Sequence, residues 1–433
     1  MKKVLVLSPH FPPVNAADMQ RVRVLLPFLD ENGWQAEVLA VSPDQIASPL
    51  DEWLADGLPD NVPVHRVDAM SLAWSRLPGL GTLGFRALRA LANAGDRLLA
   101  HGGFDLVYFS TTLFEVHLLG PRWKKKFGVP FLMDYQDPWV TDYYRQHPDI
   151  EPPGGKLKYA ISDALHRCME PRVLSECAGI TSVSPAYPRQ IFARYPTLSR
   201  FPVLVQPFPG AKRDFERIND SRVSQGFFDP KDGLIHWVYA GVVIPGMIPT
   251  IRALFKAIRD AMPRESAGRL RLHFIGTSYA KPGLANPRVL PIAREFGLEN
   301  QVHEQCERVA YATVLACLRD AGALLAIGSD DPSYTASKIF PYLLARRPLL
   351  ALFNEHSSVV EILGKVRGAV CLNFGARVDE VDLAGAIARL WIADENYAMT
   401  VPLDLPAFEP YVDRGCASAM CSFFRQCLAT VAG

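Results

Sequence analysis

The sequence predicts an α/β protein of two Rossmann-like domains facing one another across a cleft. Three observations carry this prediction. Short apolar runs at 4–8, 34–41, 106–109, 130–133 and 234–240 alternate with stretches whose apolar residues recur at helical spacing. The strand–loop–helix opening at residue 4 is repeated at residue 234, as two similar doubly wound units require. At 433 residues the chain also exceeds the ~250–300 residues over which a single core keeps growing. The expected division is a first domain over 1–206, a linker over 207–232, a second domain over 233–400, and a crossing segment with a terminal helix over 401–433.

Composition excludes several classes. A net charge of +1 gives no electrostatic grip on nucleic acid. Hydrophobic residues at 49 % suffice for sizeable cores. No window approaches the ~18 apolar residues of a membrane span. The eight cysteines begin at Cys168 and show neither C-x-x-C nor metal spacing, so they read as reduced thiols of a cytoplasmic protein. A first strand starting at Lys3 leaves no room for a signal peptide.

In the first half, the strand at 4–8 runs into a loop at 9–17 with three prolines. A helix is expected over 18–32, with Val22, Leu25, Leu26 and Leu29 on one face and Gly33 closing it. The loop lacks G-x-G-x-x-G, which weakens a dinucleotide reading. His10, Asn15, Arg21 and Arg23 are its polar neighbours; the two arginines read as a solvated helix face rather than ligands. Residues 71–100 mix Trp74, Leu77, Leu80 and Phe85 with Arg76, Arg86, Arg89 and Arg97. That pattern fits either a core-packing helix or, together with Lys124, Lys125 and Lys126, a peripheral membrane contact. The strand at 106–109 ends in Ser110-Thr111-Thr112, and His117 follows on a helix. A lone histidine there is usually packed, but the carboxyl end of a strand is where open α/β sheets build sites. From the end of the next strand comes Asp134-Tyr135-Gln136-Asp137-Pro138-Trp139. Two acids, an amide and two aromatics suit a polyol, the alternative being a structural loop with Trp139 buried.

In the second half, the strand at 234–240 leads to a loop with Gly241, Pro245 and Gly246, then a helix carrying Ile251, Leu254, Phe255 and Ile258 on one face. Residues 329–335 form a polar loop containing Tyr334 and Thr335, ahead of a helix over 336–346. Thr335 or Ser337 can cap that helix, and Lys338 falls in its first turn. A cation there opposes the helix dipole, which points to an anion bound beside it; an ordinary αβ unit with a solvated lysine is the alternative. Pro348 ends the helix before a buried strand over 349–353.

Six stretches occur in order: HFPPVNAADMQRVR, FLMDYQDPW, MEPRVLSECAGITSVSPAY, WVYAGVV, LHFIGT and SKIFPYLLARRPLLAL. Together, from about residue 3 to 365, the chain resembles the family 4 glycosyltransferases, which have the GT-B fold. The resemblance implies transfer of a sugar from a nucleotide-sugar donor, UDP- or GDP-linked, to a glycan, lipid-linked or small-molecule acceptor. It further implies retention of configuration, no metal and no cofactor beyond the nucleotide-sugar substrate. Carried over by position, Gly241 with Val242, Tyr334, Thr335, Ser337 and Lys338 would hold the donor diphosphate. Asp137 and His117 would serve the reacting sugar or take the acceptor proton, while His10, Asn15, Tyr135 and Trp139 would contact the acceptor or sugar. The chain departs from the family pattern in three places. Pro341 stands where a ribose-binding Glu is usual, Asn15-Ala16 replaces Gly-Gly, and 242–247 lacks the usual cations. Asp330-Asp331 is adjacent rather than D-x-D spaced. These departures keep two other readings open, a nucleotide-sugar epimerase of the same shape and a catalytically inactive nucleotide- or sugar-binding protein.

Overall fold

Parallel strands joined by helices account for both halves of the chain. The computed structural model describes residues 1–71, 81–146, 151–152, 155–198, 201–221, 223–278, 283–330 and 337–432. Two units result, Met1–Pro209 with Asp413–Gly433, and Gly210–Val412.

The first unit holds β1 (Lys2–Leu7), β2 (Trp34–Val41), β3 (Val64–Val67), β4 (Leu106–Ser110), β5 (Phe131–Tyr135), β6 (Gly179–Ser182) and β7 (Val203–Val205). They form one parallel sheet in the order β3-β2-β1-β4-β5-β6-β7. Successive side chains alternate between its faces. Leu5, Leu7, Val107 and Phe109 meet Ala87, Leu91 and Trp123 on one side. Val4, Val6, Leu106 and Tyr108 meet Val22 and Leu25 on the other, together with Met420, Phe424 and Cys427 of the terminal helix Asp413–Ala432. The terminal helix therefore completes the first unit's core.

The second unit holds β8 (Ile235–Ala240), β9 (Leu270–Ile275), β10 (Val302–Gln305), β11 (Ala323–Ile327), β12 (Leu349–Asn354) and β13 (Val370–Phe374), parallel in the order β10-β9-β8-β11-β12-β13. In each sheet the strand order reverses once, between β1 and β4 and between β8 and β11. Open α/β sheets bind ligands at the carboxyl ends of the strands flanking such a reversal.

Several expectations are corrected. The helix expected over 18–32 is α-helical only at Gln20–Leu25 and continues as 3-10 turns, because Pro27 has no N–H to donate and crowds the preceding turn. The expected linker contains a helix, Lys212–Ser221, that buries Phe215 and Ile218 in the second unit. The basic helix, Leu83–His101, packs into the core. Arg86 is buried on the carbonyls of Met70 and Gln45, and Gly95 lies so close to Trp123 that a Cβ would come within 2.2 Å of its ring. Trp74, Arg76, Leu77 and Leu80 lie outside the described residues. Among the described residues no helix is long and apolar enough to cross a membrane.

Arg21 and Arg23 are not a solvated face; both are buried. Arg21 Nε lies 2.8 Å from Asp134 Oδ2 with both side chains fully buried, and its Nη2 donates to the Gln206 carbonyl at 2.8 Å. Asp134 also accepts from Ser110, Gln136 and Thr181. Truncating one member leaves the other charge buried without its counterion. Arg21→Met should therefore destabilise the protein by about 3–5 kcal/mol in urea unfolding. The double change Arg21→Met, Asp134→Leu should recover most of that loss; a single-variant loss under about 1 kcal/mol would refute the account.

Candidate functional site

At the reversal point of the second unit, the loop after β8 begins with Gly241 at φ +137°, a conformation L side chains rarely adopt. A Cβ there would lie 3.0 Å from Lys338 Nζ, so a side chain at this position would crowd the lysine. Lys338 Nζ donates to Tyr239 Oη at 2.6 Å and sits 4.2 Å from the centre of the Tyr239 ring. Tyr239 Oη in turn donates to the Val242 carbonyl at 2.9 Å, and Tyr342 Oη bonds both the N–H and the carbonyl of Ala240. Two buried tyrosines thus brace the loop from β8 and from the helix Ile339–Ala345.

Lys338 is half-buried, and among the described residues no carboxylate pairs with it. Burial pushes its ammonium down to about 7. It occupies the position just before the helix, not the first turn, and neither its own nor the Ser337 side chain caps the helix; Ser337 is exposed. Tyr334 and Thr335 lie outside the described residues. A cation from elsewhere reaches the glycine loop: Arg288 Nη1 donates to the Val243 carbonyl. Its segment is anchored on Glu304, which accepts from the N–H groups of Arg288, Val289 and Leu290. Tyr239 and Arg288 escaped sequence reasoning. Tyr239 reads as one more strand residue, and Arg288 comes from a loop 45 positions beyond Val243.

At the reversal point of the first unit, His10 follows β1 and Thr111 and Thr112 follow β4. His10 Nδ1 lies 2.9 and 3.0 Å from the two carboxylate oxygens of Asp18. Asp18 also accepts from Thr111 Oγ1 at 2.9 Å and from the Thr112 N–H at 3.3 Å. Burial alone would lower the His10 pKa, but the hydrogen bond and charge of Asp18 outweigh it and hold the imidazole above its ordinary value. Asp18 is held below the usual carboxylate range, its burial being outweighed by His10 and the two threonines. Asp18 was missed because an acid eight residues past a histidine in a proline-rich loop has no recognisable spacing.

Asp137 is exposed at the end of β5; loss of solvation and then the Asp18 charge push its carboxyl up to about 6. The other N-terminal candidates are corrected. His117 is buried in a stack with Phe109, Phe114 and Trp139, its Nδ1 bonded to the Phe114 carbonyl at 3.0 Å. Burial pushes it down to about 4, which keeps it neutral. Trp139 is buried against Phe114, and Tyr135 is buried with its hydroxyl on Glu170, so neither presents a ring face for a sugar. Their aromatic surface serves the core instead. Asn15 is buried and donates to Asp51 at 3.4 Å.

No family model and no curated protein matches the chain. Solved structures do. The trehalose-6-phosphate phosphatase N-terminal domain of Candida albicans is 14 % identical with a TM-score of 0.65, covering 99 % of this chain and 97 % of that one. A UDP-forming α,α-trehalose-phosphate synthase from Burkholderia xenovorans, in complex with glucose-6-phosphate, is 11 % identical with a TM-score of 0.63, covering 99 % and 100 %. Anabaena HepE in complex with UDP and glucose is 13 % identical with a TM-score of 0.54, covering 100 % and 98 %. The likeness is one of fold. It supports two Rossmann-like units of the GT-B kind and goes no further at these identities.

Lys338 yields a test with a definite sign. The unfolded chain keeps this proton up to about 10.4, while the folded group lets it go near 7. Burying the charge therefore weakens the folded state fully below pH about 7, and the penalty fades as pH rises toward 10.4. Lys338→Met should be more stable than the parent at pH 6 by on the order of 1–3 kcal/mol in urea unfolding. The gap should narrow by pH 9; a gap that is absent or widens with pH would contradict this environment.

Proposed function

We propose that the protein is a glycosyltransferase that moves a sugar from a UDP- or GDP-linked donor to a hydroxyl of a glycan, lipid-linked glycan or small-molecule acceptor. The observation that carries this reading is the half-buried Lys338 ammonium, beside Gly241 and without a carboxylate partner among the described residues. A buried unpaired cation is unfavourable unless an anion joins it. Gly241 lets the ammonium lie close against the backbone of this loop.

Breaking the donor's glycosidic bond places negative charge on the departing diphosphate, and a fixed ammonium stabilises that charge as it develops. Lys338 would bond the diphosphate, with Tyr239 holding it in place and Arg288 adding a second cation beside the same loop. Val242, Ser337, Tyr334 and Thr335 belong to this proposed donor site by position. In the first unit, Asp137 would bond the transferring sugar or the acceptor. Retention, independence of a metal and the absence of a cofactor follow the family 4 resemblance and belong to this proposal. The solved complexes of HepE with UDP and of the Burkholderia synthase with a sugar phosphate agree with the proposed substrate class.

Pro341, standing where the family has a ribose-binding Glu, favours one second reading, a nucleotide- or sugar-binding protein without turnover. Calorimetric titration with UDP, GDP and ADP should show binding to at least one. Lys338→Ala should weaken it roughly 10- to 100-fold, the range for loss of hydrogen bonds to a charged group. Gly241→Ala should weaken it as well, because the added methyl meets Lys338. Absence of binding by all three nucleotides, or an indifferent Lys338→Ala variant, would refute the donor site. Binding without release of diphosphate or product across a broad acceptor set would select the second reading, and an epimerised sugar would select an epimerase.

A further inference from the structure

A peripheral membrane contact, expected of residues 71–100, needs apolar side chains in water, and the helix Leu83–His101 buries Leu91 and Leu99 in the core instead. A different helix of the first unit, Lys156–Leu174, presents such a surface. Leu157, Ile161 and Leu165, spaced one turn apart along one face, are 78 %, 39 % and 40 % exposed. Apolar side chains scattered singly over a surface need no explanation, whereas three in a row on one helix do.

The charge on this helix is distributed just as unusually. A surface helix normally sets charges of both signs toward water. Here both acids turn inward and are matched there. Asp163 accepts from Arg145 at 2.7 Å and from Arg167 at 2.9 Å, and Glu170 accepts from Tyr135, Tyr195 and Arg194. Lys156, Lys158 and Arg172 face out, and among the described residues no carboxylate pairs with them. Every remaining exposed position of the helix is an alanine or a cysteine. Beyond its ends, Glu176 is paired with Lys124 at 2.9 Å and Glu151 stands before Gly155. The outward face of the helix itself is thus an apolar stripe flanked by positive charge.

We propose that this face rests on an anionic lipid bilayer, with Leu157, Ile161 and Leu165 entering the acyl boundary while Lys156, Lys158 and Arg172 meet the headgroup phosphates. The inference stands on the first unit alone and does not need the glycosyltransferase reading. A helix lying in a membrane interface combines these two features, and its binding adds apolar burial to attraction for anionic lipid. Long Lys and Arg stems let the charges stay at headgroup level above the buried leucines. A second copy of the chain is the poorer occupant, because a two-fold pairing would set the same cations against one another.

The experiment is co-sedimentation with vesicles of equal parts phosphatidylglycerol and phosphatidylcholine, and with vesicles of phosphatidylcholine alone. A solvent-sensitive fluorophore on Cys168 is read in parallel, with Cys168→Ser as the labelling blank. Cys168 is the one exposed cysteine among the described residues and lies between Leu165 and Arg172 on the same face. The expected result is binding to the anionic vesicles with a blue shift of the Cys168 probe. Binding should fall about 10-fold or more in the double variant Lys156→Gln, Lys158→Gln, the weight of two cations near an anionic surface. It should fall at least as far, by about 10-fold, in Leu157→Glu, Leu165→Glu, which puts acids in place of the stripe. It should also weaken between about 0.1 and about 1 M salt, as the screening length contracts from about 10 to about 3 Å. Urea midpoints equal to the parent's establish that the variants fold. No binding to anionic vesicles would overturn the proposal, and so would equal binding to both kinds of vesicle. Binding that ignores both double variants and leaves the probe unshifted would overturn it as well. Self-association that is lost in Leu157→Glu, Leu165→Glu, without vesicle binding, would assign the face to a second copy instead. Should a variant fail to fold, the probe in the parent decides: a shift on anionic vesicles alone supports the face, and an unshifted probe on bound protein overturns it.

Discussion

An ammonium group resting on a tyrosine ring, with a glycine at its side and no acid bonded to it among the described residues, is the constraint on which the second unit's proposed chemistry depends. Lys338 Nζ bonds Tyr239 and lies 3.0 Å from where a Cβ at position 241 would stand, so a larger residue there would crowd it. Desolvation of a charge is costly, and a protein that places one without a counterion keeps it only where something else supplies the charge. Tyr239 and Tyr342 hold the backbone at this point: their hydroxyls bond the Val242 carbonyl and both the N–H and the carbonyl of Ala240.

The first unit shows the opposite treatment of charge at the equivalent place in its sheet. Arg21 and Asp134 neutralise each other in the interior, and Asp18 is matched by His10 and two hydroxyl residues. The His10 ring is partly exposed there and Asp137 is exposed. Acids already satisfied by hydrogen bonds suit a neutral hydroxyl compound, whereas a cation with no carboxylate bonded to it among the described residues suits an anion.

The architecture was legible because strands and helices differ in apolar period, and the repeat of the β1 opening at β8 announced a second unit. Gly241 and Lys338 were legible as a pair only through a family resemblance; nothing in their separation of 97 positions says they meet. Tyr239 was hidden because a buried tyrosine on a strand looks the same whether it fills a core or seats a lysine. The aromatic cluster Tyr135, Trp139 and His117 misled for the same reason, since composition at a strand end does not say which way the rings turn. Arg21 misled in the other direction: an arginine on a short helix reads as solvated until its partner, Asp134, is seen across 113 positions. Pairings of this kind depend on tertiary geometry, which local pattern does not encode.

Hydrogen–deuterium exchange with UDP and with GDP in turn tests the central claim most directly, since it reports where a nucleotide sits without requiring turnover. The account predicts slowed exchange in peptides covering residues 239–247 and 337–343, where the glycine loop and the segment starting at Ser337 flank Lys338. Protection that leaves both segments unchanged and appears elsewhere in the chain would contradict it.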